Sequence, residues 1–148
     1  MSHLMVVQVE ITDTNAFVTA LQRMGFEVAY IAVDHENGLT AKTYSGATLQ
    51  NCAVVVNKSA FNGYGDLALH AKESGSYELC VDDMDVTRGL RHVANGANAM
   101  VGDSTFIESL TMWYAAHSAA HSMMQMGLNP SIEVDNVSTR VHVRAAYA

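Results

Sequence analysis

A chain of 148 residues, 49% apolar and 16% charged, has the length and composition of one globular domain that can bury a core without a disulfide or a metal. A net charge of −7 with only eight Lys and Arg argues against a nucleic-acid polymer as partner, because phosphate binding draws on clustered cations. No apolar run approaches the ~20 residues that cross a bilayer, so no membrane partner is expected.

The first segment, Met5 to Thr12, alternates Val6, Gln8 and Glu10 against Val7, Val9 and Ile11, a half-buried strand. Thr12 or Asp13 then caps a helix with the apolar stripe Phe17, Ala20, Leu21 and Met24, and Gly25 stands where a left-handed residue would stop it. Phe26 to Val33 reads as the next strand, Glu36-Asn37-Gly38 as a turn, and Leu39 to Tyr44 as a strand returning from it. Ala53 to Asn57 is apolar enough for the middle of a sheet. The loop Asn62-Gly63-Tyr64-Gly65-Asp66 precedes Leu67 to His70, and Ser76 to Asp82 is a further strand. The pattern weakens from Asp83 to Gly102, which holds Asn95, Gly96 and Asn98 and the loose basic group of Arg88, Arg91 and His92.

Thr105 and Glu108 have capping-box spacing at the head of a long helix that ends at Gly127. Asn129-Pro130 breaks the chain. A terminal hairpin follows, Ser131 to Asp135 and Thr139 to Arg144, with Glu133, Arg140, His142 and Arg144 outward. Both halves thus read helix, glycine stop, hairpin, as a ferredoxin-like plait or two related halves would. The fold class expected is α+β: a mostly antiparallel sheet with two packed helices and ferredoxin-like elements, in a single domain over residues 1–148.

Cys52 and Cys80 lie inside apolar strand patterns without CxxC spacing, so two buried reduced thiols are expected. Met1-Ser2-His3 runs straight into strand pattern without the form of a signal peptide. Both observations point to the cytoplasm.

The sharpest local feature is His117 and His121, four residues apart on one helix face, the spacing that offers two imidazoles to one metal. Ser118 stands where the zinc-hydrolase motif has glutamate, and a third ligand would come from His70, His92, Asp82 or Asp83. On the helical wheel the histidines share a stripe with Phe106, Leu110, Trp113, Tyr114 and Met124, while Met112, Ala116, Ala119 and Met123 make a second apolar face. A helix apolar over most of its circumference needs cover on two sides, and a second copy of the chain is the simplest second cover, the Asp83 to Gly102 segment folded over that face being the alternative. The acidic run Asp82-Asp83-Met84-Asp85 lacks EF-hand spacing and reads as a solvated strand end. The Asn62 to Gly65 glycines lack a following Gly-Lys-Ser/Thr and read as a tight loop. No serine sits in a nucleophile elbow and neither cysteine adjoins a histidine, so no catalytic residue and no cofactor are assigned.

Several of these segments carry a resemblance. The opening Met1-Ser2-His3, Asp13 through Leu21-x-x-Met24-Gly25-Phe26-Glu27-Val28, Asn62 to Leu67, Gly75-Ser76-Tyr77-Glu78-Leu79, Tyr114-Ala115-x-His117, Gly127 and the final hairpin resemble a domain-of-unknown-function family of cyanobacteria and phages. The same family is a hypothetical chloroplast reading frame, thirty-five type. The resemblance spans most of the chain in pieces and leaves Asp83 to Asp103 unmatched. It implies a cytosolic fold (host cytoplasm for a phage protein) and Met1 as a native start, and it carries no known activity. The terminal helix departs from the family's, being Ala-, Met- and His-rich where the family's is charged.

Three functions follow as expectations. The first is a non-enzymatic binding or assembly protein, homo-oligomeric through its C-terminal helix, with Leu110, Trp113, Tyr114, His117, His121 and Met124 at the interface and another protein as a possible partner. The second is a small-ligand or nucleotide-sequestering protein of phage type, with Tyr64, Trp113, Tyr114 and His117 around a pocket between protomers. The third is a metal-dependent enzyme using His117 and His121.

Overall fold

The computed structural model describes residues 4–87, 90 and 100–147. The chain is α+β with a mostly antiparallel sheet, as its hydrophobic patterning requires. It forms two compact units, the first from residues 1–14 and 26–93, the second from 15–25 and 94–148, so the backbone passes between them three times. The basic group of Arg88, Arg91 and His92 and the glycine-bearing stretch 91–99 lie outside the described residues.

The first unit is a six-stranded antiparallel sheet in the order β1 (Leu4–Ile11), β6 (Tyr77–Asp82), β5 (Leu67–Ala71), β4 (Thr48–Val56), then β2 (Ile31–Val33), with β3 (Leu39–Lys42) also on β4. The neighbours β4, β5 and β6 are consecutive, a meander, and the plaited order that two related halves imply is not adopted. Nor do β2 and β3 form a hairpin. β2 pairs with Val54 to Val56 and β3 with Thr48 to Cys52, so they are collinear pieces of one edge. The nine residues of β4 extend ~30 Å, long enough to serve both. The Glu36-Asn37-Gly38 turn is an excursion out of that edge, closed by Asp34, whose carboxylate accepts from Glu36 N–H at 2.9 Å. The strand expected from Phe26 also starts late. Residues Val28–Tyr30 make a 3-10 turn instead, and Phe26 is buried with its ring edge-on to Phe61 at 6.0 Å.

Cross-strand partners share a face. Val54 opposite Leu69 and Val56 opposite Leu67 are fully buried, each side chain contributing roughly 2 kcal/mol of transfer free energy. On the other face Cys52, Val55 and Ala68 cluster with Ala41. Cys52 and Cys80 are free and buried, with β5 between their strands. Burial pushes the Cys80 thiol up to about 12.

The second unit contains α1 (Thr14–Arg23), α3 (Phe106–Gln125) and the hairpin β7 (Leu128–Asp135) and β8 (Arg140–Tyr147). Between β6 and the second unit the short helix α2 (Asp83–Thr87) belongs to the first. The Thr105–Glu108 capping box forms in both directions, at 3.2 and 2.9 Å, and Gly25 and Gly127 take φ of 102° and 80° after their helices. α3 is ~30 Å long and packs along both hairpin strands, each ~26 Å. The hairpin is longer than its sequence pattern implies, because Asn129 and Pro130 enter β7 instead of ending at a break. Leu128, Pro130, Ile132, Val141 and Val143 are half-buried, while Glu133, Arg140, His142 and Arg144 are exposed on the opposite side. The turn is held at the foot of α3, where Asn136 accepts from Gly102 N–H at 3.0 Å.

Candidate functional site

Each unit has a feature of its own. In the first, a cleft of ≈ 260 Å³ opens between the β3–β4 reversal and the loop before β5, lined by Leu4, Thr43, Tyr44, Leu49, Asp66 and Asp82 among others. The reversal is tied by Thr43 N–H to the Ala47 carbonyl at 3.0 Å and turns through Gly46. Tyr44 and Tyr64 meet edge to face at 5.3 Å, and Tyr44 remains 56% exposed. Two carboxylates hold the loop in place. Asp66 accepts from Lys42 N–H and Lys58 N–H, both at 2.9 Å. Asp85 accepts from Tyr64 N–H at 2.8 Å and Gly65 N–H at 3.2 Å.

Asp85 has no exposed surface. Desolvation raises its pKa, and the two backbone N–H donors work against that rise. The loop glycines follow from this closeness: a Cβ at Gly63 would stand 2.1 Å from the Phe61 ring and 2.9 Å from the Asp85 carboxylate. Asp82 is also buried and accepts from Met84 N–H at the start of α2. The acidic run is therefore not a solvated strand end. Asp82 and Asp85 turn inward because the chain leaves β6 directly into a helix that buries them. A cleft with apolar walls and two carboxylates suits a neutral or cationic small molecule and disfavours a phosphate.

In the second unit Leu110, Trp113 and Tyr114 are buried on α3, and Tyr114 meets Phe17 of α1 at 6.4 Å. The Arg23 guanidinium lies 4.4 Å from the Trp113 ring centroid, a cation–π contact that no short-range pattern announces. The His117 ring lies 6.3 Å from Trp113 and tilted 33° to it. Its Nε2 is buried and has no hydrogen-bond partner among the described residues. Desolvation, and secondarily the Arg23 charge, lowers its pKa. His121 is exposed, one turn further on. Met124 and Met126 are 63% and 73% exposed. On the second apolar face Ala116 is buried and Met112, Ala119 and Met123 are half-buried, so most of it has cover and the open apolar surface gathers at the last turn.

The sequence-derived residues thus divide. Leu110, Trp113, Tyr114 and His117 form one group, His121 and Met124 lie at the open helix end, and Tyr64, in the first unit, stands behind the cleft-lining Tyr44 without lining the cleft itself. Of the possible third metal ligands, His70 is paired with Glu78 at 3.1 Å and Asp82 caps α2. No group of three or more His, Cys, Asp or Glu able to hold a metal occurs among the described residues. Asp66, Asp85, Tyr44 and Arg23 were not singled out by sequence. Only Asp85 had a signal, as a member of an acidic run.

No family model, curated protein or solved structure matches the chain. Among the described residues no helix is long and apolar enough to cross a membrane.

Proposed function

We propose that the chain is a non-enzymatic binding and assembly protein of the cytoplasm, related to the reading-frame family it resembles, that self-associates through the C-terminal end of α3. The observation that carries this reading is the pair of exposed methionines, Met124 and Met126, at the C-terminal end of a helix that buries Phe106, Leu110, Trp113 and Tyr114 on its earlier turns. Methionine is flexible and polarisable and suits a surface that repacks against a copy of itself. His121 flanks the patch. Two buried free thiols support a reducing compartment. Light scattering at micromolar concentration should give a dimer or larger, and Met124→Glu with Met126→Glu should return it to a monomer. A monomer at every concentration overturns the reading.

The cleft favours a second reading, a small-ligand protein. The lining carboxylates of Asp66 and Asp82 and the half-exposed Tyr44 ring fit a cationic or neutral aromatic compound better than a nucleotide. A thermal-shift screen of nucleosides, aromatic amines and nucleotides tests it. A set of uniform zero shifts would remove it, since ligand at 100 times its Kd stabilises by about 2.7 kcal/mol.

A further inference from the structure

We infer that the outer edge of β8 is a docking site for an extended acidic peptide, which adds to the hairpin as a third strand. Pro130 faces Ala145 across the ladder and has no N–H to give, so the unbroken register from Leu128↔Tyr147 to Asp135↔Arg140 places it in a non-hydrogen-bonded pair. The pairs alternate. Asn129, Ser131, Glu133 and Asp135 therefore exchange bonds with β8, and the N–H and C=O groups of Val141, Val143 and Ala145 point away from β7.

Among the described residues β8 pairs with β7 alone, so this edge offers a full set of donors and acceptors. The β7 edge does not, because Pro130 interrupts it. Val141 and Val143 are half-buried and Ala145 is exposed, which leaves the edge accessible.

Charge selects the occupant. On the exposed face β8 presents Arg140, His142 and Arg144, and among the described residues only Arg144 has an ion pair there, 3.2 Å from Glu133. β7 presents Glu133 and Asp135, so an acidic strand beyond β8 would continue an alternation of sign across the sheet. A second copy of β8 would not. Antiparallel pairing centred on Val143 sets His142 against Arg144. Centring on His142 sets Arg140 against Arg144, and centring on Arg144 sets that residue against itself. A strand of alternating acidic and apolar residues would lay its acids beside these cations and its apolar side chains on the side that faces α3.

The test is a titration of the intact chain with a capped octapeptide of alternating valine and glutamate, with the valine–lysine octapeptide as control. Backbone amide resonances are followed at peptide concentrations where each peptide is monomeric. Shifts should concentrate at Val141, Val143 and Ala145, appear with the glutamate peptide only, and weaken as salt rises. Arg140→Glu with Arg144→Glu should weaken binding about tenfold and turn the preference to the lysine peptide. Val143→Pro removes an outward N–H while leaving the β7 ladder intact, so it should abolish binding in a folded protein. Where that variant fails to fold, Ala145→Pro makes the same deletion. Equal response to both peptides, shifts located elsewhere, undiminished binding by the folded proline variant, or β8 edge amides already protected by a second copy would each overturn the inference.

Discussion

Asp85 is an ionisable acid with no exposed surface, whereas Met126 is apolar and 73% exposed. Both reverse the ordinary partition of side chains, and they do so for different reasons. In the first unit a carboxylate is buried because two backbone N–H groups of the loop before β5 need an acceptor, and the loop shapes a cleft wall. In the second unit Met124 and Met126 stay in water at the C-terminal end of α3, whose earlier turns bury Leu110, Trp113 and Tyr114. The first reversal holds local structure in place. The second leaves apolar side chains in water.

That contrast has a direct test. Asp85→Ala strands both N–H groups in a buried site and should lower stability by about 3 kcal/mol, seen as a thermal midpoint roughly 6–12 °C lower. Met126→Glu should stay within about 0.5 kcal/mol of the parent while changing the oligomer. Equal costs at the two positions would break the comparison. Gly63→Ala comes next. Its Cβ would collide with the Phe61 ring, which is buried and held edge-on by Phe26, so the ring has little room to give. A loss of about 2 kcal/mol is expected in denaturant titration. A neutral outcome would mean that the loop moves freely, and the cleft wall with it.

How much of this was legible depended on the range of the interaction. The Thr105–Glu108 box and the Gly25 and Gly127 stops act over three or four residues, so the helix limits could be read directly. The alternation in β1 and β6 is equally local. The edge shared by β2 and β3 was not legible, because a turn signal at Glu36-Asn37-Gly38 does not say whether the chain reverses or loops out and resumes. The length of β4 decided that. The burial of Asp85 is not legible in the sequence, because a buried and a solvated acidic run have the same composition, and its partner Gly65 lies 20 residues back. For the candidate sites, Tyr64 and His117 were visible as residue types. Tyr44 and Arg23 act through contacts with elements remote in sequence, which no periodicity encodes.

The smallest effect expected is the pH response of His117, and its sign can be worked out. Its pKa is lowered in the fold, first by desolvation and then by the Arg23 charge, so the folded state disfavours the imidazolium relative to the unfolded chain. Stability from this group is therefore present above the ordinary histidine value of about 6.5 and is lost as pH falls through it toward the lower folded value. His117→Phe keeps a ring against Trp113 and removes the titration. Melting both proteins at pH 8 and pH 5 should show the parent losing more, by on the order of 2 °C, because the two proteins differ in this one ionisable group. Arg23→Met tests the second cause: it should narrow the difference without erasing it, since burial remains. A parent that gains stability on acidification relative to His117→Phe would mean that Nε2 meets an acceptor when protonated. The buried end of α3 would then be a polar site, and its contrast with the methionine end would be sharper than the two side chains alone suggest.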